Sequence, residues 1–363
     1  MKICYLADIN SVHTKKWCNY FKKLGHEIHV ISLNEGHLDG VEVHCLKVDK
    51  AKTKASGVLG KFEYILRFKE VRRLAKEIKP DILHAHYASS YGLLGALANY
   101  HPYILSLWGS DVYDFPRKGY IFKKMLQYNL KAADIIMSTS KAMAKEAQKY
   151  LDAEMFITPF GVDINKYQPM WNKNTVDQKI IIGTVKALEE VYGIETLIRA
   201  FAHLYKSNKN IALEIAGEGS QRDYLLKLCK DLKIDQAVTI FGRLPEEEVV
   251  KAFNRFHIAV FPSLRESFGV AAVEAQACGT PVVVSDADGL LEVTVENKTG
   301  LVVRERSPEA YAEAINKLIL DEALRRTMGQ CARVHVENNF DIENNFSKVK
   351  DIYENLISNR GSE

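Results

Sequence analysis

Two carboxylates, Glu266 and Glu274, stand eight positions apart within Pro262–Val283 (PSLRESFGVAAVEAQACGTPVV). Between them Ser267, Phe268 and Gly269 precede a run, Val270–Ala277, that is almost wholly apolar or small. The run reads as a short buried helix. Ser267 is an N-cap type, and Gly269 lets a ligand approach the backbone. The first N–H groups of a helix lack intrahelical acceptors and carry its positive dipole end, so this start suits an anion such as a diphosphate. Helical side chains lean toward the N-terminus, so Glu274, about one and a half turns in, reaches back toward a ligand docked there. A carboxylate there pairs naturally with the vicinal hydroxyls of a ribose. Glu266, ahead of the helix, stands beside whatever the diphosphate carries. Acids that only decorate a surface helix would have more polar company than this, and a lone Glu on a buried helix needs a partner.

Elements on either side must bring that helix start to a ligand. Short apolar runs alternate with amphipathic stretches along the chain. Residues 2–6, 27–33, 41–48, 82–85 and 103–107 read as strands, and 14–24, 64–78 and 91–99 as helices. The alternation restarts at 179. Strands are expected at 179–185, 211–216, 238–241, 258–261, 281–285 and 301–303, with helices at 193–205, 221–232, 246–253, 270–277 and from 309. Repeated strand–helix alternation implies parallel sheets covered on both faces. A length of 363 residues exceeds what one core ordinarily supports. The expected architecture is therefore α/β, two Rossmann-like doubly wound domains with an interdomain cleft at the C-terminal ends of their strands. Residues 1–165 form the first, 166–340 the second, and 341–363 a returning terminal helix.

Charge is unevenly spread. Residues 1–165 hold 24 Lys and Arg against 17 Asp and Glu, a balance of +7, which leaves −4 for the remainder of a chain whose total is +3. Residues 47–79 alone hold 11 basic and 4 acidic residues. Such a stretch is either a solvated helix face with a loop or a patch for anionic lipid or a phosphate-bearing acceptor. No recognition motif accompanies it, so nucleic acid is not an expected partner. The six cysteines form no C-x-x-C pair, which argues against a zinc knuckle or redox dithiol and suits a reducing cytoplasm. The N-terminus reads as a buried strand rather than a secretory signal, and no run is long and apolar enough to span a membrane. A cytoplasmic protein, peripheral at the inner face of the cell membrane, is expected.

Glu266–Glu274 (ESFGVAAVE) followed by Ala277–Val283 (ACGTPVV) resembles the E-x7-E signature of retaining GT-B glycosyltransferases of family GT4. The likeness extends along nearly the whole chain. It takes in His84–Leu97 (HAHYASSYGLLGAL), Leu105–Val112 (LSLWGSDV), Pro159–Tyr167 (PFGVDINKY), Ile181–Ile198, Ala216–Ser220 (AGEGS), Phe241–Pro245 (FGRLP) and Glu296–Val303. It implies that Glu274 binds the donor ribose, that Glu266 acts on the transferred sugar, and that the amides of Phe268, Gly269 and Val270 hold sugar and diphosphate. Arg243 and Leu244 would flank the base, and Gly219 would join the donor contacts.

Departures from the family pattern shape the remaining assignments. The Arg and Lys that usually grip the diphosphate correspond to Ala187 and Tyr192, which leaves Lys186 as the cation for the leaving phosphate. The family's N-domain histidine corresponds to Trp108, while Asp111 keeps the acidic position. His13 and His86 are the candidates to stand in at the acceptor side, against the plainer reading of structural histidines. Ser285–Asp288 (SDAD) has D-x-D spacing, but in a loop where the family has small residues, so no obligatory metal or other cofactor is expected beyond the nucleotide-sugar cosubstrate. The implied reaction moves a sugar, with retention, from a UDP-sugar, or second from GDP-mannose. Its acceptor would be a glycan or polyprenyl-diphosphate-linked oligosaccharide of cell-surface polysaccharide synthesis. Two other readings stay open: a nucleotide-sugar-binding subunit with reduced catalysis, and a GT-B sugar-nucleotide epimerase.

Overall fold

All strand pairings among the described residues are parallel, as expected when helical crossovers return the chain to the same edge of a sheet. The structure, a computed structural model, describes residues 1–46, 63–170 and 179–360. The chain divides into two compact units, Met1–Phe160 with the segment from Glu343 onward, and Gly161–Ile342.

In the first unit the strands are β1 (Lys2–Leu6), β2 (Glu27–Ser32), β3 (Glu42–Cys45), β4 (Ile82–His86), β5 (Tyr103–Leu107), β6 (Ile135–Ser138) and β7 (Phe156–Ile157), in the order β3-β2-β1-β4-β5-β6-β7. The second unit holds β8 (Ile180–Val185), β9 (Ile211–Ala216), β10 (Val238–Phe241), β11 (Ile258–Phe261), β12 (Val282–Ser285) and β13 (Gly300–Val303), ordered β10-β9-β8-β11-β12-β13. Both orders reverse direction beside their first strand, at β1/β4 and at β8/β11, which is where doubly wound sheets open a crevice for ligands. The strands β4, β5, β11 and β12 are buried at every position, whereas the edge strands β3 and β10 are only partly covered. That contrast is why the central strands read as unbroken apolar runs and the edges as mixed ones.

Several elements differ in extent from the sequence pattern. The third strand stops at Cys45, one residue short of Leu46, and its expected positions 47 and 48 lie outside the described residues, as does the rest of the basic stretch up to 62. The helix expected from Tyr64 begins as a 3-10 turn, Glu63–Arg67, and becomes α-helical at Phe68–Ile78. Between Trp108 and Pro159, where the apolar pattern marks no element, the fold has helices Tyr120–Ala132 and Lys141–Gln148 as well as β6 and β7. The terminal helix, Ile342–Arg360, packs on the first unit. Phe346 lies 5.2 Å from Trp17 and 4.8 Å from Tyr20, and Tyr353 stacks on Phe21 at 5.1 Å. Among the described residues no helix is long and apolar enough to cross a membrane.

Candidate active site

The loops leaving β8 and β11 border the switch point of the second sheet. Lys186 is the first residue after β8 and Glu266 lies in the loop after β11. Their side chains meet, Nζ to Oε2 at 2.5 Å, with only 15% and 11% of each exposed. Lys186 Nζ also sits 4.4 Å above the centre of the Tyr192 ring. Tyr192, which stands where the family has a cation, thus holds the neighbouring cation by its π face. The loop is fixed from below by Gly217, at φ +154°, where a Cβ would fall 1.9 Å from the Lys186 carbonyl oxygen. Only glycine permits that approach. Lys186, Ala187, Gly217, Glu218, Arg243 and Leu244 line a cavity of about 360 Å³ at the C-terminal ends of β8, β9 and β10. Gly219, grouped with the donor contacts by resemblance, does not line it. A Cβ at Gly219 would stand 2.4 Å from the Leu188 carbonyl oxygen, so its smallness serves the packing of the loop.

The helix that carries Glu274 and follows Glu266 spans Val270–Ala277. Its N-cap is Gly269, at φ +100° with no side-chain cap, rather than Ser267. The left-handed turn at Gly269 takes over the reversal of the chain, and a glycine cap offers no side-chain oxygen to occupy the first-turn amides. Phe268 is 2% exposed and its ring meets Phe340 edge-on at 5.6 Å, so the side chain anchors the loop while its backbone stays at the helix start. Glu274 is half-buried and has the partner that its setting demands: the Tyr167 hydroxyl hydrogen-bonds it. Burial and that carboxylate push the Tyr167 phenol far above its ordinary pKa, which keeps it protonated as a donor. Tyr167 lies in Pro159–Tyr167, and only this contact marks it out. The aspartates of Ser285–Asp288 are committed elsewhere. Asp286 pairs with Arg306 at 3.2 Å, and Asp288 opens the helix Asp288–Val293. Gly289, in that helix, donates its N–H to the Glu266 carbonyl at 3.3 Å and so braces the loop.

In the first unit, Asp8, Asn34, His86, Tyr87 and Trp108 line a cavity of about 360 Å³ beyond the ends of β1, β2, β4 and β5. His86 is 1% exposed, neither of its ring nitrogens has a hydrogen-bond partner, and burial, with His84 and His13 nearby, holds its pKa well below the ordinary value. It is a neutral imidazole with a donor and an acceptor to offer. Trp108 lies 4.7 Å from His86, and His13 stacks on Phe160 at 4.0 Å and meets Trp108 at 5.7 Å. Burial, and to a lesser degree Lys16, lowers His13 to about 4. His13, His86 and Trp108 therefore form one aromatic group. Asp111 does not join it. This carboxylate is 0% exposed and accepts from the amides of Ala88 (2.7 Å), Gly109 (2.7 Å) and Trp108 (3.2 Å). Burial raises its pKa against the pull of those amides. With its oxygens accepting from backbone donors, Asp111, which keeps the acidic position and was grouped with Glu266 and Lys186 as a catalytic candidate, ties the loop after β5 to the loop after β4.

Two doubly wound parallel sheets, each with a pocket at its switch point, define a protein of the GT-B class. Family profiles described as "Glycosyl transferases group 1" and "Glycosyl transferase 4-like" match residues 168–335 and 2–140, and the chain belongs to this glycosyltransferase family, GT4. It is 32% identical over 216 residues to a D-inositol 3-phosphate glycosyltransferase of Corynebacterium jeikeium, an alignment covering 55% of this chain and 51% of that protein. The chain thus spans about half the length of that curated relative. Among solved structures it resembles sucrose-phosphate synthase from Thermosynechococcus elongatus (TM-score 0.85, 20% identity, 99% of both chains). It also resembles HepE of Anabaena in complex with UDP and glucose (TM-score 0.78, 19% identity, 98% of this chain and 100% of that one).

Proposed function

We propose that the chain transfers a sugar, with retention, from a nucleoside-diphosphate sugar, UDP-sugar before GDP-mannose, to a glycan or polyprenyl-diphosphate-linked acceptor. The observation that carries this reading is the Lys186–Glu266 pair, 2.5 Å apart beside the uncapped start of the helix Val270–Ala277. A cation and a row of first-turn amides stabilise charge growing on a departing diphosphate. Glu266 stands where a sugar attached to that diphosphate would lie, and Glu274, oriented by Tyr167, is the ribose acceptor. UDP in the structure of HepE supports a uridine donor. Donor binding belongs to the second unit in this reading, and acceptor recognition to His86, His13 and Trp108 of the first.

A lipid-linked acceptor at the cytoplasmic membrane surface is supported by the helix Tyr120–Ala132. Tyr120, Ile121 and Tyr128 are 72%, 67% and 48% exposed there, with Arg117, Lys118, Lys123, Lys124 and Lys131 around them. Apolar and aromatic side chains among lysines fit an anionic bilayer surface. Transfer in this reading needs no metal at the donor.

Thermal-shift screening against a panel of nucleotide sugars tests the donor, with stabilisation by one base and sugar expected. A flat response to all of them would end the proposal. Donor binding with neither hydrolysis nor transfer to any acceptor would instead identify a binding subunit, the reading that Trp108, Ala187 and Tyr192 motivate. Turnover is expected to survive EDTA; loss restored by manganese would contradict the metal-free mechanism. Sedimentation with anionic but not neutral liposomes, reversed by salt, is expected of the membrane contact.

A further inference from the structure

We infer that His29, His44 and Glu42 form a binding site for a divalent transition cation of the zinc class, at the edge of the N-terminal sheet and apart from both pockets. Strands β2 and β3 run parallel with His29 opposite Glu42 and Ile31 opposite His44. Alternate residues of a strand share a face, so Glu27 and His29 of β2 and Glu42 and His44 of β3 project from the same side. Their donor atoms converge. His29 Nδ1 lies 3.2 Å from His44 Nε2 and 3.5 Å from Glu42 Oε2, and His44 Nε2 lies 3.6 Å from Glu42 Oε1. A tetrahedral cation with ligand bonds of roughly 2.0–2.1 Å holds its ligands about 3.3–3.4 Å apart. The separations, to Oε2 of Glu42 from His29 and to Oε1 from His44, lie near that edge length, so one ion reaches both imidazoles and a carboxylate oxygen with small side-chain adjustments.

The surroundings are those of a supported ligand set. His29 Nε2 is 2.9 Å from Glu27 Oε1, so its ring hydrogen is donated to a carboxylate and Nδ1 keeps its lone pair toward the cluster. Glu27 is itself held by Lys2 Nζ at 3.1 Å. His29 is nearly buried while the Glu42 side chain is 65% exposed, so the site is rigid at one end and open to solvent at the other. Two imidazoles and one carboxylate suit zinc, cobalt, nickel or copper and discriminate against magnesium and calcium, which prefer all-oxygen ligands. The alternative is a metal-free network in which His44 Nε2–H donates to His29 Nδ1. An ion would replace that shared hydrogen, with His44 carrying its own on Nδ1, and would pin the edge strand β3 to β2.

The test uses the full chain stripped with EDTA and dialysed. Zinc titrated calorimetrically is expected to bind at one equivalent and raise the melting temperature of the N-terminal unit. Cobalt is expected to give the visible absorption of a tetrahedral nitrogen–oxygen site. His44→Ala should lower zinc affinity at least tenfold and abolish the cobalt spectrum. Glu27→Gln, which touches the ion only through His29, should weaken binding by about 10–100-fold. Zinc affinity unchanged in folded His44→Ala, binding well below one equivalent, or equal stabilisation by magnesium would each overturn the inference. Should His44→Ala fail to fold, the Glu27→Gln affinity and the wild-type cobalt spectrum decide it. None of these readouts depends on sugar transfer, so the proposed function stands or falls separately.

Discussion

Replacing Lys186 by methionine separates two roles that the structure gives to one side chain. Its Nζ lies 2.5 Å from Glu266 Oε2, and the Ser263 hydroxyl donates to that oxygen across 3.5 Å. Removing the lysine leaves a largely buried carboxylate with a weak partner. Breaking a fully buried ion pair costs about 3–5 kcal/mol. Residual exposure of both side chains here reduces that to about 2–3 kcal/mol, or roughly 4–12 °C in the melting of the Gly161–Ile342 unit. The catalytic cost has a different origin. Loss of one fixed charge-stabilising donor in a site of this kind lowers kcat by about 10²–10³, or 2.7–4 kcal/mol. Initial rates with donor and acceptor, together with melting curves, measure the two effects. The double variant Lys186→Met/Glu266→Gln leaves neither charge stranded and is expected to regain much of the stability. It should not regain kcat, because the cation facing the leaving phosphate is still missing. A kcat for Lys186→Met within threefold of the wild type would refute the reasoning. So would a recovery of kcat in the double variant, which would leave neither Lys186 nor Glu266 a part in turnover.

Other outcomes follow from neighbouring contacts. Glu274→Ala should weaken nucleotide-sugar binding by about 10–100-fold in calorimetry, the loss of charge-assisted hydrogen bonds worth about 1.5–3 kcal/mol; an unchanged Kd would put the ribose elsewhere. Gly217→Ala should reproduce the kcat defect of Lys186→Met without touching it, because the new Cβ collides with the Lys186 carbonyl; wild-type turnover in that variant would show that the loop position is not critical. Asp111→Ala should lower the melting temperature of the N-terminal unit and leave donor affinity intact, since three backbone amides lose their acceptor; a kcat defect without destabilisation would restore a direct catalytic role. His13 is held at about 4 and His84 at about 3, both by burial, so the unfolded chain binds more protons than the native one below pH 6.5. Stability of the N-terminal unit should therefore be full above pH 6.5 and fall as the pH drops toward 4 and then 3. His13→Phe, which keeps the stack on Phe160, should flatten that slope in pH-dependent melting, and an unaltered slope would contradict it.

The sequence by itself determined the alternation of apolar runs and helical stretches, because central strands of a parallel sheet are buried on both faces and the register of local apolar residues is a short-range signal. It also placed Glu274 in a short apolar helix and Glu266 in the loop ahead of it, since an apolar run that follows a glycine is a local signal. Tertiary structure alone decided the partners. Lys186 meets Glu266 because two strands far apart in the chain, β8 and β11, are neighbours in the sheet. Tyr167 reaches Glu274, and Asp111 reaches the amide of Ala88, through the same kind of long-range packing. The cap at Gly269 instead of Ser267 was settled by a backbone turn, and composition carries no record of φ. The His29–His44–Glu42 cluster depends on parallel register, where a shift of one residue would turn one strand's side chains to the opposite face.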